Sequence, residues 1–278
     1  MTSYVRTIIS QFALQILTMI KETILNKLPT WYKEINPEKH YLVLTNDMDS
    51  YYSCDFLRKR FKDIKVGGFY DFKKGLFLNK ERTEGKQPIY VDLSISEGMT
   101  FDNHYSFIKN PMAINPNVNT TIYNRKYNGS TLAVILSLFD KDFSQVNETY
   151  LTALLYIDGW YIGYYNKGGA YKDINIYWYE ALGLKEYLLP ILEQHDANYF
   201  VEFGREYRLN EEIYIDGAGK LYCGNKIPLP KCTFELVQPV ERRFCQKYEA
   251  LAINNADSQK IFTSAETYYN KYTISLRR

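Results

Sequence analysis

The chain has 278 residues, of which 46% are hydrophobic, and 34 basic residues nearly balance 32 acidic ones to give a net charge of +2. This length suffices for one large domain or for a medium domain with a smaller partner. The small net charge excludes a strong generic polyanion binder, although a local basic groove stays open. Four cysteines without a Cys-x-x-Cys pair, and three histidines, exclude a zinc finger or ribbon and indicate buried, reduced thiols.

The start of the chain predicts a helix and not a membrane span. Apolar residues recur at helical spacing over residues 4–28, which predicts a long opening helix that ends before Pro29. Its most apolar part, residues 8–20, is too short and too polar to cross a bilayer, and no signal-peptide pattern accompanies it. We therefore expect a cytoplasmic protein without a membrane partner. The 27 tyrosines are typical of an AT-rich coding sequence, viral or low-GC bacterial, and could also stack on bases; for a viral protein the host cytoplasm is expected.

Short apolar runs that end in polar residues predict a parallel sheet. Tyr41–Thr45 stops at the polar turn of residues 46–50, and a helix is expected over residues 51–61. Pro88–Leu93 and Met99–His104 are further predicted strands with acidic or polar ends. A strand, a polar turn and a helix form the βα unit of such sheets, whose ligands lie at the carboxyl ends of the strands.

Helical patterns follow this predicted sheet, and hairpin patterns follow the helices. Helices are expected over residues 131–139, 147–157 and 174–194, with a break at Pro190 in the last. Further on, strands are expected over residues 199–203, 213–215, 220–223 and 272–276, and a helix over residues 240–251. The predicted fold class is α/β: an open, mainly parallel sheet flanked by helices over residues 1–190, with a smaller C-terminal α+β domain over residues 197–278.

Two carboxylates at the end of the first predicted strand are the first candidate ligands. Asp47 and Asp49 stand two residues apart in a turn, where such a pair can address neighbouring cations. Hard ions such as Mg²⁺ and Mn²⁺ prefer oxygen ligands, but an Asp-x-Asp turn is also an ordinary helix cap. Further acids and a histidine follow the next predicted elements: Asp92, Asp102, His104 and Asp158.

The ordered set of motifs over about residues 40–165 resembles the DHH phosphoesterase superfamily. Asp47-Met-Asp-Ser-Tyr-Tyr-Ser53 resembles its first motif, Tyr90-Val-Asp92 its second, Phe101-Asp-Asn-His104 the name-giving Asp-His-His, Gly129-Ser-Thr131 its small-residue step, and Leu154-Leu-Tyr-Ile-Asp-Gly159 its fourth motif. The resemblance implies a two-metal phosphoesterase in which a hydroxide bridging cations about 3.5–4 Å apart attacks phosphorus. The C-terminal part lacks the Gly-Gly-Gly-His motif that such proteins often carry.

The resemblance also implies roles for individual residues. Two Mn²⁺ or Mg²⁺ ions would be held by Asp47, Asp49, Asp92, Asn103 and Asp158, with Asp92 bridging the ions. His104 would bind a phosphate oxygen or assist the leaving group, and Asp102 would orient it. Contacts to substrate are expected from Ser53, and from the basic pair Arg242 and Arg243 in the C-terminal part.

Two departures from the family pattern leave the function open. Val43 stands where a histidine usually precedes the first aspartate, and Asn103 replaces the first histidine of Asp-His-His. An amide oxygen binds Mn²⁺ more weakly than imidazole does, which favours harder ions.

One hypothesis for the function is hydrolysis of phosphodiester bonds in short oligonucleotides or in cyclic and linear nucleotides. A second hypothesis is a catalytically decayed DHH-like scaffold that acts as a binding or interaction module. A third is a structural component of a virion. The sequence does not indicate an oligomeric state.

Overall fold

The computed structural model describes residues 19–278 as an α/β fold built on a nine-stranded sheet. The strands are β1 (His40–Leu44), β2 (Val66–Asp71), β3 (Gly75–Leu78), β4 (Gln87–Val91), β5 (Thr100–Phe101), β6 (Ala113–Ile114), β7 (Ile213–Ile215), β8 (Leu221–Cys223), β9 (Glu235–Gln246), β10 (Ile261–Tyr268) and β11 (Lys271–Arg277). In the nine-stranded sheet they lie in the order β10-β11-β9-β3-β2-β1-β4-β5-β6, and β7 and β8 pair separately as a hairpin.

Helices connect and flank these strands. The α-helices of the described chain are Glu22–Leu25, Met48–Arg60, Lys80–Thr83, Thr131–Leu138, Glu148–Tyr156, Trp160–Tyr165, Lys172–Ala181, Lys185–Gln194, Ala197–Glu206 and Lys247–Asp257. Short 3-10 turns lie at Trp31–Glu34, Tyr123–Arg125, Ile157–Gly159, Asn166–Gly169 and Ser258–Lys260. Within residues 19–278, every helix is too short or too polar to cross a membrane.

One half of the sheet is parallel and the other half is antiparallel. β2, β1, β4, β5 and β6 are parallel neighbours, so their carboxyl ends lie at one edge. This confirms the predicted α/β class and the flanking helices. β3, β9, β11 and β10 extend the same sheet in antiparallel fashion, with Gly75 of β3 opposite Pro239 of β9. Residues 235–277 therefore continue the first sheet, and the division into two domains stays a prediction.

The central strand β1 divides the core between the two faces of the sheet. Leu42 and Leu44 belong to the large core that contains the buried faces of the helices. Tyr41 and Val43 point to the opposite face, since side chains alternate along a strand, and pack in a second core with Phe262 of β10. The C-terminal strands therefore cover the face that the helices leave open.

The C-terminal hairpin β10–β11 also approaches the carboxyl edge of the parallel strands. Thr263 of β10 forms an isolated antiparallel bridge with Ile95, in the segment that follows β4. Further along, the backbone N–H of Glu266 donates to the carbonyl oxygen of Tyr105 at 2.8 Å. The curl of the sheet thus places the end of the hairpin beside the segment that follows β5.

The strand predicted over residues 199–203 is wrong, because this segment is part of the helix Ala197–Glu206. Asp196 caps the helix by accepting a hydrogen bond from a backbone N–H of its first turn. Phe200 and Phe203 are buried on its inner face at helical spacing. Packing of this apolar stripe outweighs the local strand propensity of the aromatic residues.

The helix predicted over residues 240–251 is wrong for its first half. Strand β9 continues to Gln246, and the helix begins only at Lys247. The strand is held on both sides, by β3 over its first part and by β11 over its second, where Arg243 pairs with Ile274. Pairing partners that are distant in sequence decide the structure here, and the local pattern does not reveal them.

The break predicted at Pro190 is also misplaced. The two helices of this region are Lys172–Ala181 and Lys185–Gln194, so the chain breaks around Gly183 and Pro190 lies inside the second helix. Gly183 has φ of +70°, and a Cβ at this position would collide with the backbone of Met19. A close approach of two backbones therefore fixes the break.

The remaining local predictions are confirmed or fall partly outside the described residues. The opening helix predicted over residues 4–28 lies mainly outside them, with Glu22–Leu25 helical. The third strand is shorter than predicted, at Thr100–Phe101. Of the four predicted buried thiols, all in the described part and all free, Cys54 is buried, whereas Cys223, Cys232 and Cys245 are only partly buried. Elements are present as predicted near residues 41–45, 51–61, 88–93, 131–139, 147–157, 213–215, 220–223 and 272–276.

Candidate metal centre

Three aspartates from distant parts of the sequence meet at the carboxyl edge of the parallel strands. Asp49, Asp92 and Asp158 each offer a carboxylate oxygen, and these oxygens lie within 4.8 Å of one another. Asp49 is in the first turn of the helix after β1, and Asp92 directly follows β4. Asp49 and Asp92 are buried, at 1% and 2% exposure, while Asp158 is exposed. This triad could hold a metal ion, because hard cations bind carboxylate oxygens.

Asp47 caps the helix that carries Asp49, and its carboxyl group lies beside the triad. One Asp47 oxygen accepts from the backbone N–H of Ser50 at 2.9 Å, and its carboxyl group is also within hydrogen-bonding reach of Asp92. The Ser50 hydroxyl donates to the Val91 carbonyl at 2.9 Å and accepts from the Thr45 N–H at 2.8 Å. The helix start is thereby fixed to the ends of β1 and β4.

The N terminus of the helix Thr131–Leu138 holds two members of the triad in place. The backbone N–H groups of Thr131 and Leu132 donate to the two Asp49 oxygens at 2.6 and 2.8 Å. The Thr131 hydroxyl donates to Asp92 Oδ1 at 2.8 Å, while Ser130 caps the helix. Helix N termini favour negative charge, so this helix supports the carboxylates both electrostatically and geometrically.

The backbone is left-handed at two of the three aspartates. Asp92 has φ of 59° and Asp158 has φ of 60°. Such a conformation costs a residue other than glycine about 1–3 kcal/mol, and residues held in this way cluster at functional sites. Aspartate tolerates it better than most residues, which makes the arrangement accessible to this sequence. Asp92 and Asp158 thus combine this backbone conformation with proximity to one another, whereas Asp63 and Asp140 share only the conformation.

The carboxylates are crowded enough to change their pKa values. Burial raises the pKa of Asp49 and of Asp92 well above the usual range, and the neighbouring carboxylates raise both further. Burial among these groups, followed by the charge of Asp47, raises the pKa of Asp158 to about 6. Part of the Asp158 residue reaches solvent, but its carboxyl group lies inside the cluster. The arrangement therefore favours a neutralising cation.

Asn103 lies against Asp158 and presents an unpaired oxygen. Its Nδ2 group donates to the Gly129 carbonyl at 2.8 Å and to a carboxylate oxygen of Asp158. Its Oδ1 atom is buried and has no hydrogen-bond partner in the part of the chain that the structure describes. A buried amide oxygen without a partner costs free energy of folding. Coordination of a cation by this oxygen is one way to give it a partner. The residues of this centre therefore fit a metal ion.

Asp102 and His104 form a hydrogen-bonded pair beside the triad. Asp102 Oδ1 lies 2.7 Å from His104 Nδ1 and also accepts from the His104 backbone N–H at 3.1 Å. Asn115 donates to the other Asp102 oxygen at 2.8 Å. Burial lowers the pKa of His104, but the charge and hydrogen bond of Asp102, together with the charges of Asp158 and Asp47, outweigh this effect and the net pKa is raised. The hydrogen bond at Nδ1 fixes the orientation of the His104 ring, so that Nε2 is available to a second partner.

A buried asparagine that belongs to none of the sequence motifs supports this part of the site. Asn117 donates from Nδ2 to the carbonyl oxygens of Asn103 and Tyr127 at 2.7 and 2.9 Å, and accepts from the Tyr127 N–H at 2.7 Å. It thereby satisfies three backbone groups of segments that lack regular structure. The density of asparagine over residues 110–128 is the sequence signal that could have pointed to it.

We expect Asn117→Ala to lower the free energy of unfolding by about 2–4 kcal/mol, because it leaves three backbone groups without their partners. Urea denaturation followed by circular dichroism measures this loss. Asn255→Ala, at an exposed position of the helix Lys247–Asp257, is the matched control and should change stability by less than about 0.5 kcal/mol. Equal effects of the two variants would contradict the structural role of Asn117.

Two other residues named by the resemblance lie inside the protein. Val43 is fully buried in the second core, on the face of β1 opposite Leu42, so its side chain points away from the helix-covered face. Ser53 is also fully buried, and its hydroxyl lies 3.4 Å from Asp49 Oδ1. Ser53 therefore contacts the triad from within the core, and its role towards substrate stays a prediction.

Arg242 and Arg243 lie on strand β9, with partners of their own. The Arg242 guanidinium is stacked 4.6 Å from the ring centroid of Phe244. Arg243 Nε donates to Glu241 at 2.7 Å. The two cavities that border the triad are lined by other residues. A contact of either arginine with substrate stays a prediction.

These two cavities meet at Asp158. The larger has a volume of about 830 Å³ and is lined by His104, Lys126 and aromatic residues of the hairpin β10–β11. The smaller has a volume of about 440 Å³ and is lined by Asp47, Asp49 and Glu211, among others. A ligand in either cavity would lie next to the candidate metal centre.

Comparisons of the chain with protein-family models, with curated proteins and with solved structures find no match. The resemblance to the DHH superfamily thus rests on the sequence motifs and stays a prediction. The function is therefore inferred from the geometry of the site.

Proposed function

We propose that this protein is a metal-dependent phosphoesterase that hydrolyses phosphodiester bonds in short oligonucleotides or nucleotides, cyclic ones included. The observation that carries the proposal is the convergence of Asp49, Asp92 and Asp158 within 4.8 Å at a sheet edge. The unpaired Asn103 oxygen and the imidazole of His104 lie beside them. Oxygen ligands next to a candidate proton donor are the groups that metal-assisted phosphate hydrolysis requires.

In this proposal each group of the site has a defined role. Asp49, Asp92, Asp158 and Asn103 bind Mn²⁺ or Mg²⁺, and Asp47 completes the ligands of a second ion. Divalent cations at this position supply Lewis acidity and lower the pKa of a water molecule. His104 carries a proton at Nε2 to a phosphate oxygen or to the leaving oxygen, and Asp102 holds the ring in the orientation that this transfer needs.

A DHH-type scaffold that has become a binding module is the second candidate, and one specific observation favours it. Asn103 stands where the family has a metal-binding histidine, and its Nδ2 group is engaged by Asp158 and Gly129. Only its uncharged oxygen is left for a cation. A weaker metal site of this kind would suit recognition of a phosphate without turnover.

Turnover assays separate the two candidates. We expect hydrolysis of bis(p-nitrophenyl) phosphate, of a labelled dinucleotide or of a cyclic dinucleotide in Mn²⁺ or Mg²⁺, and loss of that hydrolysis in EDTA. Metal binding by calorimetry without turnover of any of the three would support the binding module. Absence of both metal binding and turnover would overturn the proposed function.

We expect Asn103→His to raise the affinity for Mn²⁺ by about tenfold, because imidazole is the better ligand for this ion. One ring nitrogen can coordinate while the other donates to the Gly129 carbonyl that Asn103 now contacts. Isothermal titration calorimetry with Mn²⁺ measures the change. Asn210→His is the control, since Asn210 lines the smaller cavity but is exposed. An unchanged or lower Mn²⁺ affinity in Asn103→His would refute the assignment of Asn103 as a ligand.

A further inference from the structure

The larger cavity beside the triad is lined by several segments of the chain. His104 and Asp158 line it next to the metal centre, and Tyr268 and Tyr269 at the end of β10 line it as well. The hydrogen bond from the Glu266 N–H to the Tyr105 carbonyl joins the end of β10 to the segment that follows β5. With a volume of about 830 Å³, the cavity has room for a nucleotide.

Lys126 brings a positive charge into this cavity. Its Nζ atom lies 4.4 Å from the ring centroid of Tyr123, which positions the ammonium group by a cation–π contact. Within residues 19–278 the Lys126 ammonium makes no ion pair closer than 4.0 Å. Burial lowers the pKa of Lys126, and the more distant charges of Glu266 and Asp158 reduce this shift without reversing it. A partly buried ammonium without a close carboxylate partner is suited to binding an anion.

Further tyrosine rings pack against the Tyr123 ring that the ammonium group contacts. The ring centroids of Tyr105 and Tyr269 each lie 5.7 Å from that of Tyr123. Tyr268 and Tyr269 are 72% and 65% exposed, so their rings are accessible from the cavity mouth. Aromatic rings beside a cation form the usual combination for binding a nucleobase together with its phosphate.

Two amide oxygens in the cavity wall lack partners within the described part of the chain. Asn175 is 1% exposed, and its Nδ2 group donates to the Tyr171 carbonyl at 2.8 Å, while its Oδ1 atom is unpaired. Asn128 Oδ1 is buried and unpaired as well. Both residues line the cavity. Unpaired buried acceptors call for donors from a ligand, and the exocyclic amine of a base is such a donor.

We propose that this cavity is a nucleotide subsite in which Lys126 binds a terminal phosphate monoester and the surrounding tyrosines stack on the base. The inference rests on the proposed phosphodiesterase function and narrows its substrate class to nucleotides or short oligonucleotides that carry a terminal phosphate. Lys126 is a specificity-determining residue in this scheme, because it selects the phosphorylated end without taking part in bond cleavage.

Binding of adenosine 5′-monophosphate and of adenosine, measured by isothermal titration calorimetry in EDTA, tests the subsite. EDTA removes divalent ions, so that the carboxylate cluster repels the phosphate and Lys126 is the group that attracts it. We expect the monophosphate to bind about tenfold more tightly than adenosine. Lys126→Gln should remove this preference while adenosine binding stays unchanged, and Lys126→Arg should keep it.

Lys172→Gln is the matched control. Lys172 Nζ also lies 4.4 Å from a tyrosine ring, that of Tyr164, but Lys172 does not line the cavity. Equal binding of the two ligands by the wild type, or a phosphate preference that survives Lys126→Gln, would overturn the subsite. Lys126-dependent binding without diester hydrolysis in Mn²⁺ would instead contradict only the proposed catalytic function.

Discussion

If the proposed function holds, Asp92→Asn is expected to reduce metal-dependent phosphodiester hydrolysis by about 10³-fold or more, because it removes one of the two buried carboxylates that would bind metal. The amide oxygen of the substituted side chain would still accept the hydrogen bond that the Thr131 hydroxyl now donates to Asp92 at 2.8 Å. Asparagine also tolerates the left-handed backbone of this position, where φ is 59°. The fold should therefore persist, and initial rates in Mn²⁺ measure the loss.

Asp63→Asn is the matched control for this experiment. Asp63 also has a left-handed backbone, with φ of 72°, and its side chain is 86% exposed. Asp63→Asn thus makes the same exchange of a carboxylate for an amide as Asp92→Asn, at a position away from the candidate ligands. If Asp92→Asn retained wild-type hydrolysis, or if Asp63→Asn lost as much, the assignment of Asp92 as a ligand would be wrong.

Asp49→Asn is expected to lower the free energy of unfolding by about 2–4 kcal/mol even without metal. Both Asp49 oxygens accept backbone N–H groups, from Thr131 and Leu132, at the start of a buried helix. An amide at this position directs its NH₂ group at one of these donors, so that this backbone N–H loses its acceptor. Asp49 is therefore a structural residue as well as a candidate ligand.

Urea denaturation of the metal-free proteins measures this difference, and Asp92→Asn is the comparison. Asp92 accepts from a side-chain hydroxyl, which an amide oxygen also satisfies, and its charge is repelled by Asp47 and Asp49. Without metal, we expect Asp92→Asn to be at least as stable as the wild type. A loss of stability in Asp92→Asn as large as that in Asp49→Asn would contradict the separate roles of the two carboxylates.

The triad could be predicted from the sequence because its members follow regular elements. Asp49 and Asp92 come just after short apolar runs, and parallel strands bring such positions to the same edge. Asp158 follows an apolar helix that ends in a tight turn before Gly159. These features are local in the sequence, whereas the common edge follows from general rules of α/β topology.

The larger cavity could not be predicted in the same way. Lys126 and Tyr123 belong to a segment with little regular structure, and Tyr269 reaches the cavity only because β9, β10 and β11 curl around the sheet. That curl depends on pairing between β3 and β9, whose register joins residues more than 150 positions apart, such as Gly75 and Pro239. The alternation of apolar and polar residues within β9 does not indicate that β3 is its pairing partner.

A crystal soaked in Mn²⁺, with anomalous scattering measured at the manganese edge, tests the candidate metal centre most directly. We expect a strong anomalous peak within about 2.5 Å of carboxylate oxygens of Asp49, Asp92 and Asp158, and none there in Asp92→Asn crystals. A wild-type crystal in millimolar Mn²⁺ without a peak between these three residues would contradict the assignment of this metal centre.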